Sequence, residues 1–116
     1  MVTDTGVSCV ETMVISELAS VGVDVSERSD ALGAVAFVSK FIDERGDTPT
    51  GWRRKLQSLA VCAIAVRVAM LDGNTAARDS HYKKFQTHWS WLLGRGISED
   101  ELKELSKGIR DRMIGE

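Results

Sequence analysis

Between residues 56 and 71 the chain carries one charge, Arg67, and is apolar almost all the way round a helical projection. Leu56, Leu59, Ala63, Val66 and Met70 form one stripe, and Val61, Ile64, Val68 and Leu71 form a second. A helix that is apolar on every side has to be surrounded by other elements. Alanines at positions 60, 63, 65 and 69 favour the helix and let neighbours come close. The most apolar part, residues 59–71, is shorter than the roughly 20 residues of a bilayer crossing and is interrupted by Arg67. The stretch therefore predicts a central core helix, not a membrane span.

Caps and periodicity place its neighbours. Ser8 and Glu11 have the spacing of a capping box, in which each side chain satisfies a free backbone donor at a helix start. Val10, Met13, Val14 and Leu18 follow at helical steps, and Gly22 offers a left-handed stop. After a connector at Val23 to Val25, Ser26 or Ser29 caps a second helix. Leu32, Val35, Val38, Phe41 and Ile42 form its stripe, widened by Ala34 and Phe37. Gly46 ends that helix, and Asp47-Thr48-Pro49 starts the third, with proline at a position where its missing N–H costs nothing.

Asp72-Gly73-Asn74 is a tight turn signal. A fourth helix starts near Thr75 and turns Tyr82, Phe85, Trp89 and Leu92 towards the third; Gly94 and Gly96 close it. A second capping box, Ser98 to Glu101, opens a fifth helix on the outside, with a narrow stripe of Leu102, Leu105, Ile109 and Met113 and fraying expected after Gly108. No segment alternates with period two, no repeat is visible and no linker divides the chain. The expectation is one all-α domain over residues 1–116, a compact bundle of about five helices around a central apolar third helix.

Composition agrees. With 116 residues, 43% apolar and 28% charged, the chain can hold a core without cross-links, hiding roughly two-thirds of its unfolded surface. Its two cysteines, Cys9 and Cys62, are too few for a disulfide framework and lack metal-site spacing, so both read as buried thiols. The first residues have neither the basic nor the apolar region of a secretory signal, and a cytoplasmic location is the expectation.

The net charge of −2 conceals a division. Residues 1–50 hold three basic side chains against nine acidic ones, whereas residues 51–95 hold eight basic against two acidic. All three tryptophans, the tyrosine and both histidines fall in the basic block. Such asymmetry favours a charged partner or a second copy of the chain. The competing account is mutual compensation between helices of one bundle, with Arg53-Arg54-Lys55 as an ordinary solvated face.

Two sets of residues in this block are candidates for contact. Lys84, His88, Trp91 and Arg95 lie at four-, three- and four-residue steps beside the Tyr82 seam. With Arg53 and Arg54 they form a candidate partner-binding surface of the tryptophan-and-arginine kind enriched at interface hot spots. Alternatively, Trp91 is covered by a neighbouring helix. The second set is Thr75, Arg78, Ser80, His81 and Lys83, at the start of the helix after the glycine turn. These side-chain types would suit base edges and phosphates if the third and fourth helices were a helix-turn-helix, although any helical hairpin needs a short turn.

No chemistry of catalysis is legible. The chain has no G-x-S-x-G, phosphate-loop or H-E-x-x-H motif, and His81 and His88 are too far apart to clamp a metal. Neither a cofactor, a metal nor a small-molecule substrate is inferred, and an enzyme is not expected. The reading is a non-enzymatic helical interaction module, an adaptor, inhibitor or regulatory protein, with a protein partner. Self-association is expected because the second and third helices offer more apolar width than three short partners readily cover. The alternative is a nucleic-acid-binding regulator using the third and fourth helices.

Overall fold

In the computed structural model, residues 9–45 and 52–113 are described, apart from the side chain of Cys9. Five helices follow in order: α1 (Cys9–Ser20), α2 (Ser29–Asp43), α3 (Trp52–Leu71), α4 (Thr75–Gly94) and α5 (Glu99–Arg112), with no strand among the described residues. The expected signals at Ser8, Gly46 and Pro49, and the burial of Cys9, lie outside what is described.

Helix α3 is the axis of the fold, as its all-round apolarity predicts. Leu56, Leu59, Ala60, Val61, Ile64, Ala65 and Val68 are buried on successive sides of it, and α1, α2, α4 and α5 all pack on it. Its final two residues escape cover: Met70 and Leu71, assigned to the core stripes, are 47% and 41% exposed. Helix α2 buries Ala31, Ala34, Val35, Val38, Phe41 and Ile42, while Leu32 turns to solvent. Ala34, Val35, Val38, Phe41 and Ile42 are thus buried as expected, and the small Ala31 sits at the contact in place of Leu32. Most of the apolar width of α2 and α3 is thus covered within one chain, and Leu32, Met70 and Leu71 are the large apolar side chains of it that remain exposed.

Neither Ser26 nor Ser29 caps α2. Arg28 occupies that position without a side-chain cap, and its guanidinium reaches Asp72 in the α3–α4 turn at 2.6 Å. The Ser26 N–H donates to Asp24 Oδ1 (3.0 Å), forming a local turn, and Asp30 Oδ1 accepts from the Ala31 N–H at the helix start.

The α3–α4 connection takes three residues. Gly73 adopts φ 72°, and the Asn74 N–H donates to Ala69 O at 2.8 Å, closing α3 with the left-handed geometry that glycine adopts without a Cβ penalty. The Asn74 side chain then accepts from the Ala77 N–H at 3.0 Å and caps α4. Gly96, at φ 97°, closes α4 in the same way, with the Ile97 N–H donating to Leu92 O and the Ile97 side chain buried.

Helix α5 opens with one half of its expected capping box, Ser98 Oγ accepting from the Glu101 N–H, while the Glu101 carboxylate pairs with Arg45 at 3.3 Å. It does not fray at Gly108. It continues to Arg112, and Leu102, Leu105, Ile109 and Met113 are all at most 1% exposed. Burying each such side chain contributes on the order of 2 kcal/mol, enough to hold a helix that is otherwise charged. Among the described residues no helix is long and apolar enough to cross a membrane.

Candidate interaction surface

Helix α4 stands apart from the rest of the bundle. It shares with α3 the most extensive contact in the fold and has no comparable contact with any other helix. Only Leu92 of its side chains is fully buried. At about 100° per residue, Leu92 and Phe85 mark the line facing α3, with Lys84, His88, Trp91 and Arg95 on one flank and Tyr82 and Trp89 on the other. The seam expected to pack on α3 is therefore split, and Tyr82 is 49% exposed.

On the first flank, two cations lie against one indole. Lys55 Nζ is 4.9 Å and Arg95 Cζ 4.7 Å from the Trp91 ring centroid, both within cation–π range. Trp91 is half-buried and rests on the core, so its position is fixed while part of the ring faces outward. Lys55 was not singled out in the sequence. Lys55 and Trp91 are equally far along the chain from Gly73, so an antiparallel hairpin folded at that glycine sets them side by side.

The six residues proposed for this surface divide in the structure. Arg53 is occupied elsewhere: it donates to Ile42 O at 3.0 Å and pairs with Asp43 at 3.2 Å, satisfying the carbonyl end of α2. Arg54, Lys84 and Arg95 are exposed and, like Lys55, form no ion pair among the described residues. Among the described residues, compensation between the acidic and basic blocks is thus confined, on the basic block's cationic side, to Arg53 with Asp43. Arg78 pairs within its own helix.

His88 is half-buried at the base of the strip, and its Nδ1 has no hydrogen-bond partner. Burial holds its pKa below the ordinary value and Lys55 pushes it down further; Glu17 acts in the opposite direction and Lys84 lowers it again. Glu17 is engaged in accepting from Gln57 Nε2 at 2.8 Å. The flank consequently presents an indole, a neutral imidazole and a set of unneutralised cations at neutral pH.

The alternative set does not share a face. Thr75, Ser80 and Lys83 point into solvent, whereas Arg78 and His81 are half-buried. Two nitrogens of Arg78 hold Asp79 Oδ1 at 3.0 and 3.2 Å, placing a carboxylate among the residues that would meet phosphate. Helices α3 and α4 also run back along one another from the Gly73 turn to the Lys55–Trp91 contact, unlike helix-turn-helix pairs, which cross at about 90–120°.

Cys62 is buried, and desolvation raises its pKa, which suppresses the reactive thiolate. Among the described residues no group of three or more His, Cys, Asp or Glu side chains could hold a metal. No protein-family model, curated protein or solved structure matches the chain.

Proposed function

We propose that the chain is a non-enzymatic helical interaction module, working in the cytoplasm, that docks an acidic protein surface on the Lys84–His88–Trp91–Arg95 flank of α4. The observation that carries this reading is the Trp91 ring with Lys55 and Arg95 against it, both cations lacking an acidic partner among the described residues. A rigid aromatic anchor beside unpaired cations gives an acidic partner both buried area and charge-assisted hydrogen bonds. Arg54 and Lys84 extend the same field, while Arg53 belongs to the fold.

A protein partner is favoured over nucleic acid because the residues suited to base and phosphate contact are scattered around α4 and include the Arg78–Asp79 pair. Self-association is secondary, since Leu32, Met70 and Leu71 are what α2 and α3 leave exposed.

The test is capture by the immobilised protein from extract of its own cells, with and without nuclease, alongside the Trp91→Ala/Arg95→Ala variant. The expected result is an acidic protein retained after nuclease, lost from the variant, and displaced by added salt, with the variant's circular dichroism unchanged. Retention by the variant would overturn the surface. Material that disappears with nuclease would favour the nucleic-acid reading.

A further inference from the structure

Helices α4 and α5 do not pack on one another as α3 and α4 do, and a cleft opens between them on the flank of α4 opposite Trp91. One wall is an aromatic run. Tyr82 and Phe85 stack with centroids 5.9 Å apart and planes within 13°, and Phe85 meets Trp89 at 5.5 Å. Val66 of α3 supplies apolar floor and Ile109 of α5 the facing side. From Tyr82 to Ser90 the aromatic wall is about 12 Å long, roughly two turns of helix.

The charged side chains that line the cleft are basic. Arg67 and Arg110 line its Tyr82 end, and no acidic side chain lines it among the described residues. Among the described residues Arg67 forms no ion pair, and Arg110 pairs only with its chain neighbour Asp111, at 3.9 Å.

We infer that this cleft is a docking groove for a short amphipathic helix, acidic at one end, from a partner protein. Two apolar side chains of that helix, one or two turns apart, fill the space against Phe85 and Trp89, and its carboxylates meet Arg67 and Arg110. The polar ends of Gln86 and Ser90 form the rim. The α4 of a second copy carries three basic side chains, Arg78, Lys83 and Lys84, against one acidic, Asp79, so charge favours a different, acidic occupant. The groove shares α4 with the Trp91 flank but none of that flank's side chains, and the two sites stand or fall separately.

A phage-displayed library of random peptides, selected on the full chain, tests the inference. The selected peptides should carry apolar residues at i, i+3 or i+4, and i+7, with an excess of Asp and Glu. The best of them, synthesised, should lose at least about tenfold in affinity for Tyr82→Asp and, separately, for Arg67→Glu/Arg110→Glu. It should bind Trp91→Ala/Arg95→Ala as it binds the wild type. Selected peptides without acidic excess, or binding that survives both groove variants, would overturn the proposal. So would a concentration-dependent dimer in sedimentation velocity that Tyr82→Asp abolishes, because the occupant would then be a second copy.

Discussion

The ring of Phe37 lies so close to the backbone of Gly108 that a Cβ added there would overlap it. The contact lies between α2 and α5, and Arg112 and Phe41 flank the same ring at 4.4 and 6.0 Å. Glycine inside a helix ordinarily costs about 1 kcal/mol relative to alanine. At Gly108 that loss is offset by the close approach. Gly33, inside α2, has open space around its would-be Cβ and no such return.

The two glycines should therefore respond oppositely to the same substitution. Gly33→Ala is expected to stabilise by about 0.5–1 kcal/mol, and Gly108→Ala to destabilise by about 1–3 kcal/mol, because either α5 lifts or the Phe37 ring leaves its packing. Urea unfolding measures both. In a Phe37→Ala background Gly108→Ala should lose its penalty. Equal stabilisation by both alanines would contradict the packing described.

Both helix caps that position α4 and α5 rest on single side chains. Asn74→Ala and Ser98→Ala should each cost about 1 kcal/mol, since each leaves one backbone donor without its partner. Asn74→Asp should cost little, its carboxylate keeping the acceptor and gaining from the helix dipole. Thermal unfolding of the three variants checks the order.

How far the fold can be read from sequence depends on the kind of signal. Leu102, Leu105, Ile109 and Met113 form a narrow stripe on a charged helix, and a narrow stripe has one direction to face. The turn chemistry of Gly73-Asn74 and Gly96-Ile97 is equally local and equally legible. Helix α4 is different because it has apolar or aromatic groups on two flanks, and periodicity alone does not say which line meets α3. Tyr82 and Phe85 are only three residues apart, yet the first is half exposed and the second rests on the core.

The candidate site was legible in part for the same reason. Spacing placed Lys84, His88, Trp91 and Arg95 on one flank, but Arg53, Arg54 and Lys55 are consecutive and must point in different directions. Arg53 turns to the end of α2 and Lys55 to Trp91, a sorting set by the packing angle of three helices. The α4–α5 cleft is likewise tertiary: Arg67 and Arg110 are far apart in sequence and meet only across a gap.

Stability should depend on pH through the histidines. Burial holds His88 and His81 below their ordinary value of 6.5, with Lys55 reinforcing the shift at His88 and Lys84 at His81. In that interval the unfolded chain binds more protons than the folded one, so stability rises with pH. The contribution is fully present above about pH 6.5 and is lost as the pH falls from there to the lowered folded values. Urea midpoints measured across this range should decline on acidification, and His88→Gln should flatten the decline. An unchanged slope in that variant would show that His88 is not the group responsible.

Helix α4 should also be unevenly held along its length. Its second half is anchored by Leu92, which is fully buried, and by the closure through Gly96 and Ile97, whereas residues 75–84 contain no fully buried side chain. Opening of those first turns exposes little apolar surface, so their amides should exchange with solvent faster than those of α3, α5 or the Trp89–Leu92 turn. Leu92→Ala, costing about 2–5 kcal/mol, should erase the difference by raising exchange in the second half of α4 towards that of the first. Hydrogen exchange followed by mass spectrometry resolves the two halves. Uniform protection along wild-type α4 would mean that the helix is held by more than its contact with α3 and its single buried leucine.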